Sequence, residues 1–340
     1  MFSGEWRMLK VEVKDKSTRK KTNMKIVIVG VGAVGGYFGG RLAQTAHEVT
    51  FIARGEHLNA IRENGLRVDS LNGDFIAVPT YATDSPSEAD EMDVIVVATK
   101  AWQIPSVTES MRPMIGEDTI IVPLLNGVEA PHQLATVYGY ERVLGGFCRV
   151  QSRKAGAGHI IQGGTPPYVS IGAINTDDTQ QSANVQRITA VFTEASIEVQ
   201  LPDSIEAAMW QKLLFVSAFG GVGAVTRMPA GVIRSLPEVR AMLKGAMTES
   251  YTVALAQNIP MADDAVATGM AMVDRLPEHS TASMQRDIMN GYPSELDAQN
   301  GAVVRIGEQF NITTSIHRFI YHSLLASEKK ARGELTVPTL

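Results

Sequence analysis

The chain has 340 residues, 44% of them apolar and 20% charged, with a formal charge of -5 at neutral pH. These totals describe a globular protein of two ordinary domains, exclude a disordered or fibrous chain, and give no overall basic field for nucleic acid or an anionic membrane surface. The one cysteine, Cys148, has no intrachain disulfide partner and no zinc-ligand spacing, which fits a reducing, cytoplasmic setting.

Residues 1–23 carry seven Lys or Arg against Glu5, Glu12 and Asp15, with no apolar run long enough for a signal peptide. They are expected to be a flexible extension, from an upstream start or an added segment and not a targeting signal. From Met24 short β-branched runs (Ile26–Val29, Val49–Ile52, Val94–Val97, Ile120–Leu125) alternate with stretches of helical composition such as Tyr37–Thr45. The alternation predicts βαβ units and a mostly parallel sheet. Leu71-Asn72-Gly73-Asp74 predicts a hairpin turn inside a small excursion from that sheet. Across Val143–Ile174, strand-like runs broken by glycines and by Pro166-Pro167 predict antiparallel strands that finish the first domain.

Beyond Leu201-Pro202 the strand signal stops, and helical stretches are punctuated at Pro229, Pro237, Pro260, Pro277 and Pro293. The expected division is an extension over 1–23, a Rossmann α/β domain over 24–202, an all-α domain over 203–330 and a tail over 331–340. The longest apolar-rich stretch, Leu213–Val225, is too short to span a bilayer, so no membrane helix is expected. Met242, Met247, Met270, Met272, Met284 and Met289 are expected to fill the helical core.

The strand run into Gly30-Val31-Gly32-Ala33-Val34-Gly35 has the G-x-G-x-x-G spacing in its proper context, directly after a strand and before a helix. Gly30 permits the tight turn, Gly32 lets backbone approach a pyrophosphate, and Gly35 allows close helix–strand packing. The second strand ends at Arg54, where an NAD enzyme would carry a carboxylate for the ribose hydroxyls. A guanidinium can instead pair with a 2′-phosphate, favouring NADP; the bland alternative is a solvated loop arginine.

In an open α/β sheet, ligands sit beyond the carboxyl ends of the strands. Lys100 and Asn126 stand at two such ends and can face the nicotinamide, or be a surface lysine and an Asn-Gly turn. Lys212 lies among Ala208, Met209, Phe215 and Val216 on an apolar helix side, so it either snorkels to water or serves a site. If buried in a cleft, its proton affinity should fall, making it a better acid near neutral pH.

Taken together, the Gly30–Gly35 loop, Arg54, Thr99-Lys100-Ala101-Trp102-Gln103, Asn126-Gly127, Trp210-Gln211-Lys212-Leu213, Ser283 within Ser-Met-Gln-Arg-Asp287, and Glu295 before Asn300-Gly301 resemble the ketopantoate reductase (2-dehydropantoate 2-reductase) family. The resemblance runs from about Met24 to Glu328 and implies the fold of 6-phosphogluconate-dehydrogenase-like proteins. It implies that Lys212 is the general acid for the ketone oxygen and that Asn126 and Lys100 orient substrate and cofactor. It further implies that Ser283 contacts substrate, and that Glu295 holds a hydroxyl or the nicotinamide ribose while positioning Lys212. Without the family, Ser283 reads as a helix cap and Glu295 as a first-turn carboxylate.

One departure bears on specificity. The family pattern places asparagines four and eight residues after the lysine, where this chain has Val216 and Gly220. A pocket without those amides is expected to be more apolar and roomier, which leaves 2-dehydropantoate itself open against a bulkier 2-keto acid. The alternative is that Gly220, Gly221 and Gly223 serve close helix packing. Other readings are an NADPH-binding sensor without turnover, or a different dehydrogenase of the superfamily. A homodimer through the helical domain is left open by the sequence.

Overall fold

The computed structural model describes residues 23–336. Apart from Asn23, the expected N-terminal extension lies outside the described residues, as do residues 337–340 of the tail.

The chain opens with β1 (Lys25–Val29), α1 (Ala33–Leu42), β2 (Glu48–Ile52), α2 (Gly55–Asn64), β3 (Leu66–Ser70), β4 (Phe75–Ala77), β5 (Tyr81–Thr83), β6 (Met92–Val97), α3 (Ile104–Met111), β7 (Ile115–Pro123) and α4 (Ala130–Tyr138). The five strands β5-β2-β1-β6-β7 form one parallel sheet in that order. Period-2 alternation sends Ile26 and Ile28 to one face, packed with Phe38 and Leu42 of α1, and Val27 and Val29 to the other, packed with Ile104 and Met111 of α3. Both faces are covered, as parallel strands without a polar side require.

The hairpin at Leu71–Asp74 joins β3 to β4 antiparallel. What the sequence presents as an excursion is part of a second sheet, with β8 (Gly145–Gly156), β9 (His159–Gly172) and β10 (Glu198–Gln200). β8 and β9 pair antiparallel as expected, but β3 and β10 both add to β9 in parallel. The strands over 143–174 therefore do not finish the first layer: α5 (Thr179–Glu194) and β10 follow them.

Seven helices follow: α6 (Ile205–Thr226), α7 (Ala230–Ser235), α8 (Pro237–Ala256), α9 (Ala265–Arg275), α10 (Ser283–Met289), α11 (Ala302–Gln309) and α12 (Ser315–Ala331), with a π-helical turn at Asp297–Gly301 before α11. Ser204 starts α6 by accepting from Ala207 N at 3.1 Å. α6 is the spine, with Trp210, Leu213, Leu214, Phe219 and Val222 buried among Leu243, Met247 and Met284. The expectation of core methionines fits Met247, Met270 and Met284, whereas Met289 is exposed. At 22 residues α6 is longer than the apolar run within it and meets the length and composition of a membrane span; 67% of its apolar window is buried inside the protein, as in a core helix.

Candidate active site

The glycine loop is built by steric exclusion. Gly30 has φ +94°, and a Cβ there would lie 2.7 Å from Thr99 Cγ2. A Cβ on Gly35 would fall 2.0 Å from the Gly30 carbonyl oxygen, so α1 can begin this close to β1 only with glycine. At Gly32 a Cβ would meet nothing within 4 Å, leaving the exposed backbone open to a ligand. Beside this cradle Thr99 Oγ1 is buried without a hydrogen-bond partner among the described residues. An open helix N-terminus with an unpaired hydroxyl beside it fits the pyrophosphate of a dinucleotide.

The loop is also braced from behind. The Val31 carbonyl accepts from His57 Nε2 at 2.8 Å, and His57 Nδ1 accepts from Gly158 N at 2.9 Å, which fixes a neutral tautomer. Burial lowers the proton affinity of His57, consistent with that role. Ser152 Oγ donates to the Ala33 carbonyl at 2.9 Å, and Val34 is half-buried in the first turn of α1. His57 and Ser152 carry no motif, so only the fold reveals them. Arg54 is exposed at the N-cap of α2, two residues beyond Ile52, whose carbonyl accepts from Gly30 N at 3.2 Å.

Four other predicted residues converge where the two halves of the chain meet. Asn126 follows β7 and donates from Nδ2 to Glu295 Oε2 at 2.6 Å. The Asn126 turn docks tightly on the π-helical turn: a Cβ on Gly127 would lie 2.8 Å from the Ala298 carbonyl, and Glu129 pairs with Arg305 at 2.6 Å. Lys100 follows β6 and pairs through Nζ with Asp287 Oδ2 of α10 at 2.7 Å. Burial opposes its charge, but Glu295, Asp287 and Glu328 outweigh that and raise its pKa. Asp287 stands one helical turn after Ser283.

Lys212 reaches from α6 across the interface. Its Nζ donates to the Cys148 carbonyl at 2.8 Å and lies 5.2 Å from the Phe147 ring centroid, both on β8. Desolvation lowers its pKa, with Cys148 and Glu295 pulling the other way. Of the two directions open to it from sequence, the side chain turns inward, to the Cys148 carbonyl, and does not snorkel to water. The same burial pushes the Cys148 thiol up to about 11, so that thiol stays protonated.

Two expectations need correction. Ser283 is the exposed first residue of α10 and not its cap; the cap position is Ala282, whose N donates to Gln285 Oε1 at 3.2 Å. Nor is the site roomier at Gly220. A Cβ there would lie 3.2 Å from Met284 Cε and 3.4 Å from Ala282 Cβ, and Cβ atoms on Gly221 and Gly223 would strike Asn300 and Gln285 at 2.6 and 2.5 Å. These glycines let α10 and the π-helical turn press onto α6. Val216, half-buried one turn beyond Lys212, does leave an apolar side chain where an amide was missing.

Comparison with known proteins gives a consistent result. Family models described as Ketopantoate reductase PanE/ApbA and Ketopantoate reductase PanE/ApbA C terminal match residues 26–176 and 204–328. An uncharacterized oxidoreductase of Bacillus subtilis, YkpB, is 28% identical over 301 residues, covering 88% of this chain and 98% of that protein. A 2-dehydropantoate 2-reductase of Nostoc is 25% identical over 323 residues, covering 92% and 98%. The crystal structure of a PanE/ApbA family ketopantoate reductase from Ralstonia eutropha superposes with a TM-score of 0.82 at 28% identity, covering 91% of this chain and all of that one.

Proposed function

The chain belongs to the ketopantoate reductase family, and on that premise we propose that it reduces the ketone of a 2-keto acid to a 2-hydroxy acid with NADPH. The substrate is 2-dehydropantoate or a bulkier, more apolar analogue. Lys212 carries the proposal: a desolvated ammonium within electrostatic reach of Glu295, held at the junction of the two halves of the chain, is a proton donor of the kind a carbonyl reduction needs.

In this mechanism Lys212 Nζ hydrogen-bonds the ketone oxygen. As the carbonyl π pair moves onto that oxygen, the Lys212 proton follows it, and the ammonium charge offsets the developing alkoxide. When bound, the reduced nicotinamide supplies the hydride for the carbonyl carbon. Glu295, tied to Asn126, keeps Lys212 protonated against its desolvation and offers its free carboxylate oxygen to a ribose or substrate hydroxyl. Asn126 and Lys100 orient substrate and nicotinamide, and Ser283 meets the substrate from α10. The loop amides from Gly30 through Val31, Gly32, Ala33, Val34 and Gly35 would hold the pyrophosphate, and Arg54 would pair with the 2′-phosphate that distinguishes NADP. The proposal assigns residues 24–202 to cofactor binding and 203–330 to substrate and catalysis, and places the protein in the cytoplasm, as a monomer or a homodimer.

A cofactor sensor has no use for a lysine whose proton is loosened by burial. NADPH oxidation with 2-dehydropantoate and a panel of larger 2-keto acids, with Lys212→Ala as control, tests the proposal. Lys212-dependent turnover of any of them supports it, and the preferred member reports what Val216 selects. Tight NADPH binding with no turnover across the panel would refute it in favour of a sensor.

A further inference from the structure

Glu328, on the last turn of α12, is a carboxylate only 3% exposed that none of the chemistry above uses. A buried carboxylate is costly unless fully hydrogen-bonded, and this one is. It accepts from Ser294 N on both oxygens at 3.0 and 3.1 Å, from Ser294 Oγ at 2.5 Å and from Arg332 Nε at 2.7 Å. Ser294 Oγ in turn accepts from Leu296 N at 3.1 Å. The residues on both sides of Glu295 are thus pinned to α12, and the Glu295 side chain projects between them to Asn126.

Arg332 continues the connection. Its guanidinium lies 5.2 Å from the ring centroid of Trp102, which stands two residues beyond Lys100. The far end of α12 is itself anchored, because Glu249 accepts from Ile316 N and His317 N at 2.8 and 3.0 Å. A helix fixed at its start and gripping the Glu295 turn and the Lys100 loop at its end forms a strut between the two walls of the cleft.

We infer that Glu328 is a positioning residue for the reduction: through Ser294 it fixes the Glu295 carboxylate against Asn126 on the Lys212 side of the cleft, and through Arg332 and Trp102 it holds the Lys100 loop in register with that carboxylate. The inference rests on the proposed role of Lys212, and Glu328 itself touches no reacting atom. Glu295 is the charged group that reaches Lys212, the neighbouring Cys148 thiol being protonated, and Arg332 and Lys100 are the cations that face Glu328. Losing the strut therefore weakens the one carboxylate that sustains the Lys212 proton.

The test measures the titration of Lys212 by pH-dependent acetic anhydride labelling and peptide mass spectrometry, beside kcat and KM, in Glu328→Ala with and without Glu295→Gln. In the otherwise native protein, Glu328→Ala is expected to lower the Lys212 midpoint by about half a unit and kcat by roughly tenfold, with little change in KM. In the Glu295→Gln background it should add nothing, since both changes remove the same interaction. Ser294→Ala, which removes only a hydroxyl, should move both readouts the same way by less, and serves if Glu328→Ala does not fold. Equal shifts in both backgrounds, or no shift in either variant alone, would overturn the inference. Absence of turnover in the native protein would count against the reductase proposal alone, because labelling reads the Lys212 midpoint without catalysis.

Discussion

The glycine loop and the Lys212 cleft are made in opposite ways. The loop is local: within a dozen residues, Gly30 supplies a positive φ, Gly35 removes a Cβ that would strike the chain, and Gly32 leaves open backbone. The cleft is assembled from parts far apart in sequence, since Asn126 and Glu295 are 169 positions apart, Lys100 and Asp287 are 187 apart, and Lys212 reaches the backbone of Cys148. A site made of backbone tolerates almost no change at Gly30 and Gly35, whereas a site made of side chains depends on the packing that brings distant segments together.

That contrast breaks most sharply at Lys212. Lys212→Ala is expected to cut kcat by roughly a thousandfold while NADPH affinity, measured by fluorescence titration, stays within a factor of about three; a joint loss would show that cleft and loop are not separable. In the helical core, His317 is fully buried with its pKa lowered to about 4 from 6.5. Its Nε2 faces Ala246 O and Ser250 Oγ, and its Nδ1 faces Asn300 Nδ2. As pH falls below 6.5 the unfolded chain takes up a proton that folded His317 refuses until about 4, so stability is complete above 6.5 and declines across that window, by about 3 kcal/mol in all. Denaturant unfolding at stepped pH should show the slope, and His317→Gln should flatten it.

Gly35→Ala tests the other half. The added methyl meets the Gly30 carbonyl, so NADPH affinity should fall about thirtyfold, near 2 kcal/mol; unchanged affinity would mean that the loop adapts. The smallest effect is expected from Arg54→Glu, which should swing preference from NADPH toward NADH by about tenfold, the worth of one charge-assisted hydrogen bond. Equal use of both cofactors by the native protein would remove Arg54 from the site.

The same contrast explains what the sequence revealed. Period-2 runs, the glycine spacing and the loss of strand signal after Pro202 are local, and the parallel sheet, the loop and the helical half followed from them. Lys212 stood out because a charge on an apolar helix face is a local anomaly. The second sheet did not emerge, because pairing of β3 and β10 onto β9 joins segments 92 and 30 residues apart with no shared motif. The same holds for His57 behind Val31, for Asp287 on Lys100 and for Glu328 beneath Ser294: each is an ordinary polar residue in its own segment. The packing at Gly220 could be weighed but not decided from sequence, because whether a missing side chain leaves space depends on Met284, 64 residues away.

The pH dependence of kcat/KM for the best 2-keto acid, followed by NADPH oxidation, tests the central claim most directly. A lysine that donates its proton from a desolvated cleft should produce an alkaline limb well below the ordinary lysine range near 10.4, and Lys212→Arg should lose most activity and carry the residual limb upward. A native profile flat to high pH, or a limb that stays in place in Lys212→Arg, would contradict the assignment of Lys212 as the acid.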